Sequence, residues 1–228
     1  MDKVRFGIVG CGNMGTTHAN NLLEGKITNG VLAALCDKNP VKFNYFKEKI
    51  GDSVKYFSNA EDMFNSGACD VVMICTPHYE HPTLAMSALD HDLHCIVEKP
   101  AGVYTLQVKE MIEHSKTSDK ILGIMFNQRT NPAFKKMRSM IRDGKIGDIK
   151  RTNWIITNWY RTQYYYDTGS WRATWVGEGG GVLYNQAPHQ LDLFQWIVGM
   201  MPSKIRAFCH FGKWHDIEVE DDVTCYCE

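Results

Sequence analysis

The chain has 228 residues, 44% hydrophobic and 22% charged, with a formal net charge of -1. That suits one large or two small soluble domains with real cores, and it gives no electrostatic basis for nucleic-acid or anionic-membrane partners. No apolar run approaches a membrane span, and the chain enters a strand pattern directly after Met1-Asp2-Lys3, leaving no room there for a signal peptide.

In chain order, an apolar run over 4–9 leads straight into Gly10-Cys11-Gly12-Asn13-Met14-Gly15. A helical pattern over 13–24 follows, and a second apolar run over 31–36 ends at Asp37. Each piece has a job in holding a dinucleotide. Gly10 permits the tight turn out of the strand, Gly12 lets the backbone approach a pyrophosphate, and Gly15 lets helix and strand pack closely. Asn13 and Met14 open the helix, whose N-terminal amides and dipole suit phosphates. Asp37 offers two acceptor oxygens to the ribose hydroxyls, and its charge would repel a 2′-phosphate, so NAD is expected over NADP. Lys38 beside it could offset part of that repulsion, which keeps NADP as the alternative. The competing reading is a Gly-rich turn that binds no nucleotide; strand, glycines, helix, second strand and acid in register favour the nucleotide.

Further strands are expected over 54–57, 71–75, 94–97 and 121–126, with helices over 40–50, 60–65, 82–90 and 106–118. Pro40 and Pro82 fit first helical turns, where a missing amide costs nothing. Continuous apolar runs imply strands covered on both faces, so functional groups should gather beyond their C-terminal ends. Thr76-Pro77-His78 with His81 follows the fourth strand, where a loop would lie over the nicotinamide. Glu98-Lys99-Pro100 follows the fifth. A lysine directly after a buried strand needs a partner for its ammonium; the alternative is a solvated surface lysine beside a structural proline. Thr76, Pro77, His81, Glu98 and Lys99 are thus expected to stand at the cofactor crevice. No metal site is expected, because His78 and His81 lack a third ligand.

Character changes after about residue 127. A helix over 132–143 ends at Gly144 as C-cap. An alternating, aromatic-rich segment over 149–160 and a Tyr- and Trp-dense loop over 161–178 precede Gly179-Gly180-Gly181. A helix over 182–198 and strand patterns over 204–211 and from 223 onward complete the chain. If the helix from 182 is unbroken, Asn185 and His189 stand at i and i+4 on one face, with Asp192 a turn further on; the alternative for His189 is a hydrogen-bonded structural histidine. The expected architecture is a doubly wound parallel Rossmann sheet over 1–126, then an α+β domain over 127–228 with a large, mostly antiparallel open sheet. Cys11, Cys36, Cys75 and Cys95 read as small buried hydrophobes of a reducing compartment, and the cytoplasm is the expected location. Cys225 and Cys227 lack the CxxC spacing of a metal site.

Together these segments resemble the Gfo/Idh/MocA oxidoreductase family. The resemblance rests on GIVGCGNMG at the start, ICTPHYEHP after the fourth strand, VEKPAGV after the fifth and GGGVLYNQAPHQLD in the second half. The stretch from Gly144 to Gly147 looks like the family's crossover into its second domain, and the likeness covers essentially all 228 residues. It implies a Rossmann domain followed by an α/β domain, and NAD(P)-dependent oxidation or reduction of a sugar, polyol or related carbonyl. By position, Lys99 matches the lysine that contacts substrate and cofactor, and His189 the general acid/base. Asn185 stands where inositol dehydrogenase-like members carry an aspartate; an amide can orient an imidazole but stabilises its charge less well. With these three, Arg129, Trp171 and Arg172 are expected to contact substrate, and Trp154, Trp159, Tyr160, Tyr164 and Trp175 are further candidates for a sugar pocket. For most of these aromatics the competing use is sheet core or an oligomer face. Two other functions compete, an NAD-dependent glycosidase of the same fold and a non-catalytic NAD-binding regulator. Family members usually continue beyond this length, and a bare terminal strand leaves an open sheet edge. The expectation is therefore that residues 1–126 fold and bind NAD, that the second domain is incomplete alone, and that the C-terminal sheet builds a homodimer or tetramer.

Overall fold

The computed structural model describes residues 3–157 and 160–228, so Trp159 lies outside it. The chain divides into two compact units, Met1–Met125 and Phe126–Glu228.

The first unit runs β1 (Val4–Val9), α1 (Asn13–Leu23), β2 (Gly30–Cys36), a 3-10 turn at Pro40–Phe43, α2 (Asn44–Ile50), β3 (Lys55–Phe57), α3 (Ala60–Asn65) and β4 (Val71–Ile74). A second 3-10 turn at His78–Glu80 leads into α4 (His81–Asp90), β5 (His94–Val97), α5 (Thr105–Ser115) and β6 (Leu122–Ile124). All six strands pair in parallel in the order β3-β2-β1-β4-β5-β6. The winding reverses between β1 and β4, and the crevice beyond their C-terminal ends is where such sheets take ligands. Alternate strand residues enter opposite cores: Val9, Cys36 and Ile74 pack with Met63, Leu89 and Met111 on one face, while Ile8, Leu35 and Met73 pack with Leu22, Phe43 and Phe46 on the other. Both faces being covered explains why the strands are apolar throughout. The turn into α2 begins where the Asn39 side chain accepts from Val41 N at 3.1 Å and Pro40 fills the first position.

The second unit contains a 3-10 turn at Asn127–Thr130, α6 (Pro132–Arg142), α7 (Gln163–Asp167), α8 (Val182–Asn185), α9 (Pro188–Val198), β7 (Ile205–Phe211) and β8 (Glu220–Cys227). Asn131 caps α6 by accepting from Ala133 N at 2.9 Å, and Gly144 follows its end in the left-handed region at φ +68°. Three expectations change. Residues 149–157 form neither helix nor strand: alternation makes a strand only beside a partner, the described residues provide none, and Ile155 is left 81% exposed. The described part of this unit therefore carries a two-stranded antiparallel sheet, β7-β8, in place of a large one. The helix expected over 182–198 is broken in two. Pro188 has no N–H to give and its ring crowds the carbonyl four residues back, so it opens a new helix. Asn185 and His189 thus sit on different helices. No described helix is long and apolar enough to cross a membrane.

Candidate functional site

The three glycines after β1 do three different things. Gly10 adopts φ +92°, and a Cβ there would fall 2.8 Å from the Cys75 carbonyl. A Cβ on Gly15 would lie 1.9 Å from Gly10 O, so only glycine lets α1 press onto the turn. A Cβ on Gly12 would meet nothing within 4 Å. Open space thus stands before the first turn of α1, where Asn13 and Met14 are exposed and the unpaired amides of a helix start suit a phosphate.

Asp37, just past β2, is fixed beside this loop. Its Oδ2 accepts from Cys11 N and its Oδ1 from Asn39 N, both at 2.8 Å. A carboxylate has about four acceptor sites, so each oxygen keeps capacity for a ribose hydroxyl. Lys38 turns to Glu80, Nζ to Oε1 2.5 Å, and that pairing raises its pKa. Cys11 and Cys36 line the same end of the sheet with thiols that burial pushes up to about 12.

Beyond β4, Thr76 Oγ1 is buried with no hydrogen-bond partner among the described residues, and the exposed Pro77 leads into the turn before α4. An orphaned hydroxyl at the crevice and a cradle at Gly12 both fit a dinucleotide. His81, 1% exposed, corrects one expectation: Nδ1 and Nε2 lie 2.8 Å from the carbonyls of Pro100 and Thr76. Each ring nitrogen faces a backbone carbonyl and the neutral ring donates its one N–H to one of them, so His81 sits between the loops after β4 and β5 and shapes the crevice with both nitrogens turned to the backbone. Burial pushes its pKa down against the pull of the two carbonyls.

Glu98 is also engaged within the fold. Oε1 meets His18 Nε2 at 2.7 Å and Oε2 accepts from Lys99 N at 3.1 Å. The sequence reading passed over His18; its position three residues after Gly15, on the face of α1 that packs on the sheet, was the available signal. Lys99 itself is partly buried where the chain leaves β5.

In the second unit, Asn185 Nδ2 donates to Glu178 Oε1 and lies 3.4 Å from Tyr165 Oη. Glu178, 1% exposed, also accepts from Ala173 N at 2.6 Å; sequence reasoning missed it, because nothing but its place before three glycines marks it. Arg172 donates to Tyr165 Oη at 2.6 Å and stacks on the rings of Tyr165 and Trp171. His189 lies in the first turn of α9, edge-on to the Phe126 ring at 6.2 Å. Asp192, one turn beyond His189 in α9, meets Arg129 through contacts of 2.8 and 2.5 Å. A cavity of about 340 Å³ opens among Tyr160, Arg161, Tyr166, Gln186, Trp214 and His215. Of the expected pocket aromatics, Tyr160 lines it.

A family model described as oxidoreductase family, NAD-binding Rossmann fold, matches residues 4–126, and the GFO/IDH/MocA C-terminal domain matches 134–228. Myo-inositol 2-dehydrogenase of Thermotoga maritima is 28% identical, over 86% of this chain and 55% of its own. The rhizopine catabolism protein MocA of Rhizobium meliloti is 27% identical, over 90% and 61%. Among solved structures, the WlbA dehydrogenase of Chromobacterium violaceum in complex with NADH and UDP-GlcNAcA aligns with TM-score 0.90 at 29% identity, over 100% of this chain and 64% of its own. The chain thus spans between half and two thirds of the length of these relatives. Its glycine loop, its Asp37 and both matched regions make it a member of the Gfo/Idh/MocA oxidoreductase family, with an NAD-binding Rossmann fold in its first unit.

Proposed function

We propose that this protein is an NAD-dependent dehydrogenase or reductase acting on an alcohol or carbonyl of a sugar, polyol or related carbohydrate derivative. The observation that carries the reading is Lys99 at the C-terminal end of β5, on the sheet edge that also bears the glycine loop, Asp37 and Thr76. A cationic donor there is suited to an oxygen whose charge changes next to a nicotinamide. The relatives named as inositol dehydrogenase, and the neighbour holding a nucleotide sugar acid, support the carbohydrate class.

Bound NAD supplies the hydride acceptor. In the first unit, the backbone at Gly12, Asn13 and Met14 would hold the pyrophosphate, Asp37 the adenosine ribose, and Thr76 Oγ1 would give the nucleotide a hydrogen bond. Lys99 hydrogen-bonds the reacting oxygen and offsets its developing negative charge. His189 takes the hydroxyl proton in the oxidation direction, with Asn185 assisting. The proposal extends to a cytoplasmic location, in keeping with eight free cysteines, and to a homo-oligomer through the sheet of the second unit.

A panel of polyols, sugars, sugar acids and nucleotide sugars, incubated with NAD and followed at the NADH absorbance, tests this. His189→Ala and Lys99→Ala should each lower turnover by about 10²-fold or more while NAD affinity changes little. Full rate in either variant removes that residue from the mechanism. Cleavage of a glycoside without NADH accumulation would replace the reading by an NAD-dependent glycosidase, and tight NAD binding with no turnover by a regulator.

A further inference from the structure

We propose that Glu178 is a positioning residue that fixes the Asn185 amide with its oxygen as the working end, so that asparagine serves as the acceptor an aspartate would be. The inference rests on the dehydrogenase reading for its link to turnover; the geometry of the pair stands apart from it.

A side-chain amide has one donating and one accepting end, and a flip exchanges them. The surroundings of Asn185 decide the matter. Glu178 is 1% exposed and its Oε2 accepts the Ala173 N–H at 2.6 Å, which leaves Oε1 facing the amide of Asn185. Tyr165 Oη lies 3.4 Å from the same amide nitrogen and accepts from Arg172 at 2.6 Å. A hydroxyl can donate or accept, so the ionised Glu178 carboxylate, an acceptor only, decides which end of Asn185 faces the pair. The flipped amide would set Oδ1 against a carboxylate oxygen, so Nδ2 stays with Glu178 and Oδ1 is turned to the other side, the accepting end of the amide.

The local backbone is built to bring the carboxylate there. Ala173 adopts φ +53°, Glu178 N and Gly179 N both bond to Thr174 O at 2.9 and 3.2 Å, and a Cβ on Gly177 would fall 2.3 Å from Trp171 O. This tight return turns the Glu178 side chain inward, onto α8. It also accounts for the amide at position 185: an aspartate would press a second carboxylate against Glu178, and like charges in contact force one of them to hold a proton. The negative charge sits on Glu178, and Asn185 passes on its accepting character.

Exchanging the two chemistries tests the pair. In Glu178→Gln the new amide can still accept from Ala173 N but presents an N–H to position 185, turning Asn185 over. In Asn185→Asp two carboxylates meet. In E178Q/N185D the glutamine donates to the aspartate and the acceptor is restored. Each single variant should lose at least about tenfold in kcat with little change in NAD affinity, and the double variant should return to within about threefold of the unmutated protein. The activity of N185D relative to the unmutated protein should rise as pH falls from about 8 to 6, as a shared proton relieves the repulsion, and that of the double variant should not. Thermal unfolding reads the pair without a substrate: both single variants melt lower and the double variant recovers. Full activity in E178Q, or a double variant no better than the worse single one, overturns the proposal. If the unmutated protein turns over no carbohydrate, the dehydrogenase reading fails, and recovery of the melting temperature alone then supports or overturns the pairing.

Discussion

Gly12 and Gly15 stand three residues apart, and a methyl group would meet opposite surroundings at the two. At Gly15 it would lie 1.9 Å from Gly10 O and push α1 off the turn. Gly15→Ala should therefore cost about 1–3 kcal/mol of stability, the usual scale of overpacking, and lose NAD binding with it. At Gly12 it would meet nothing within 4 Å, so Gly12→Ala should melt like the unmutated protein yet bind NAD at least about tenfold more weakly, by filling the space a pyrophosphate needs. Calorimetric titration beside thermal unfolding separates the two effects; an alanine at 12 that leaves NAD affinity untouched would remove the loop from the phosphate site. The places of these glycines, Asp37 and Lys99 at strand ends were legible in the sequence because the signal is local, a few residues of spacing after an apolar run. The partners that define the site are not local. His18 and Glu98 are 80 residues apart and Arg129 and Asp192 63, so only the packed fold selects them. Glu178 is nearer Asn185 in sequence, yet a turn with a left-handed Ala173 was needed to join them, and no spacing rule foresees it.

At the scale of elements, the connection between β7 and β8 is held by one carboxylate. Asp221 accepts from Lys213 N, Trp214 N and His215 N at 3.0, 2.7 and 3.1 Å, and meets His215 Nδ1 at 3.2 Å. Burial opposes its ionisation, but these donors prevail and hold its pKa below the ordinary 3.8. A lowered folded-state pKa means the contribution is complete above the unfolded value of about 3.9 and lost as pH falls through the folded one. Below about pH 4 this connection should loosen, seen as a change in Trp214 fluorescence, and Asp221→Asn should flatten that acid dependence. An identical acid transition in the variant would relieve Asp221 of the role. Elements were readable where burial is two-sided: the continuous apolar runs of β1, β2, β4 and β5 have a single reading in a parallel sheet. They were misread where a pattern outran its context. Alternation over 149–160 resembles a strand, yet the described residues 149–157 of it have no partner, and the apolar spacing over 182–198 hides the break that Pro188 imposes. The acidic pair Asp221 and Asp222 concealed the start of β8, which opens at Glu220.

At the scale of the molecule the two units differ in how they bury apolar surface. The six-stranded sheet of the first has side chains packed on both faces, which is the condition for a domain that folds alone, so residues 1–126 should fold and bind NAD by themselves. The second exposes Ile205, Phe208, Phe211, Trp214 and Tyr226 at 58–64% on or beside a two-stranded sheet, and an isolated hairpin is marginal in water. Phe208 and Tyr226 lie on one face, since Phe208 is opposite Thr224 and Arg206 opposite Tyr226. Large exposed apolar side chains on such a sheet favour association, and a net charge of -1 supplies little repulsion against it. Light scattering should find the 228-residue protein as a dimer or larger, and Phe208→Lys with Tyr226→Lys should shift it toward monomer while the first unit keeps its NAD affinity. A compact monomer that turns over substrate without these substitutions would show that the hairpin needs no cover, and the argument from exposed apolar area would fall.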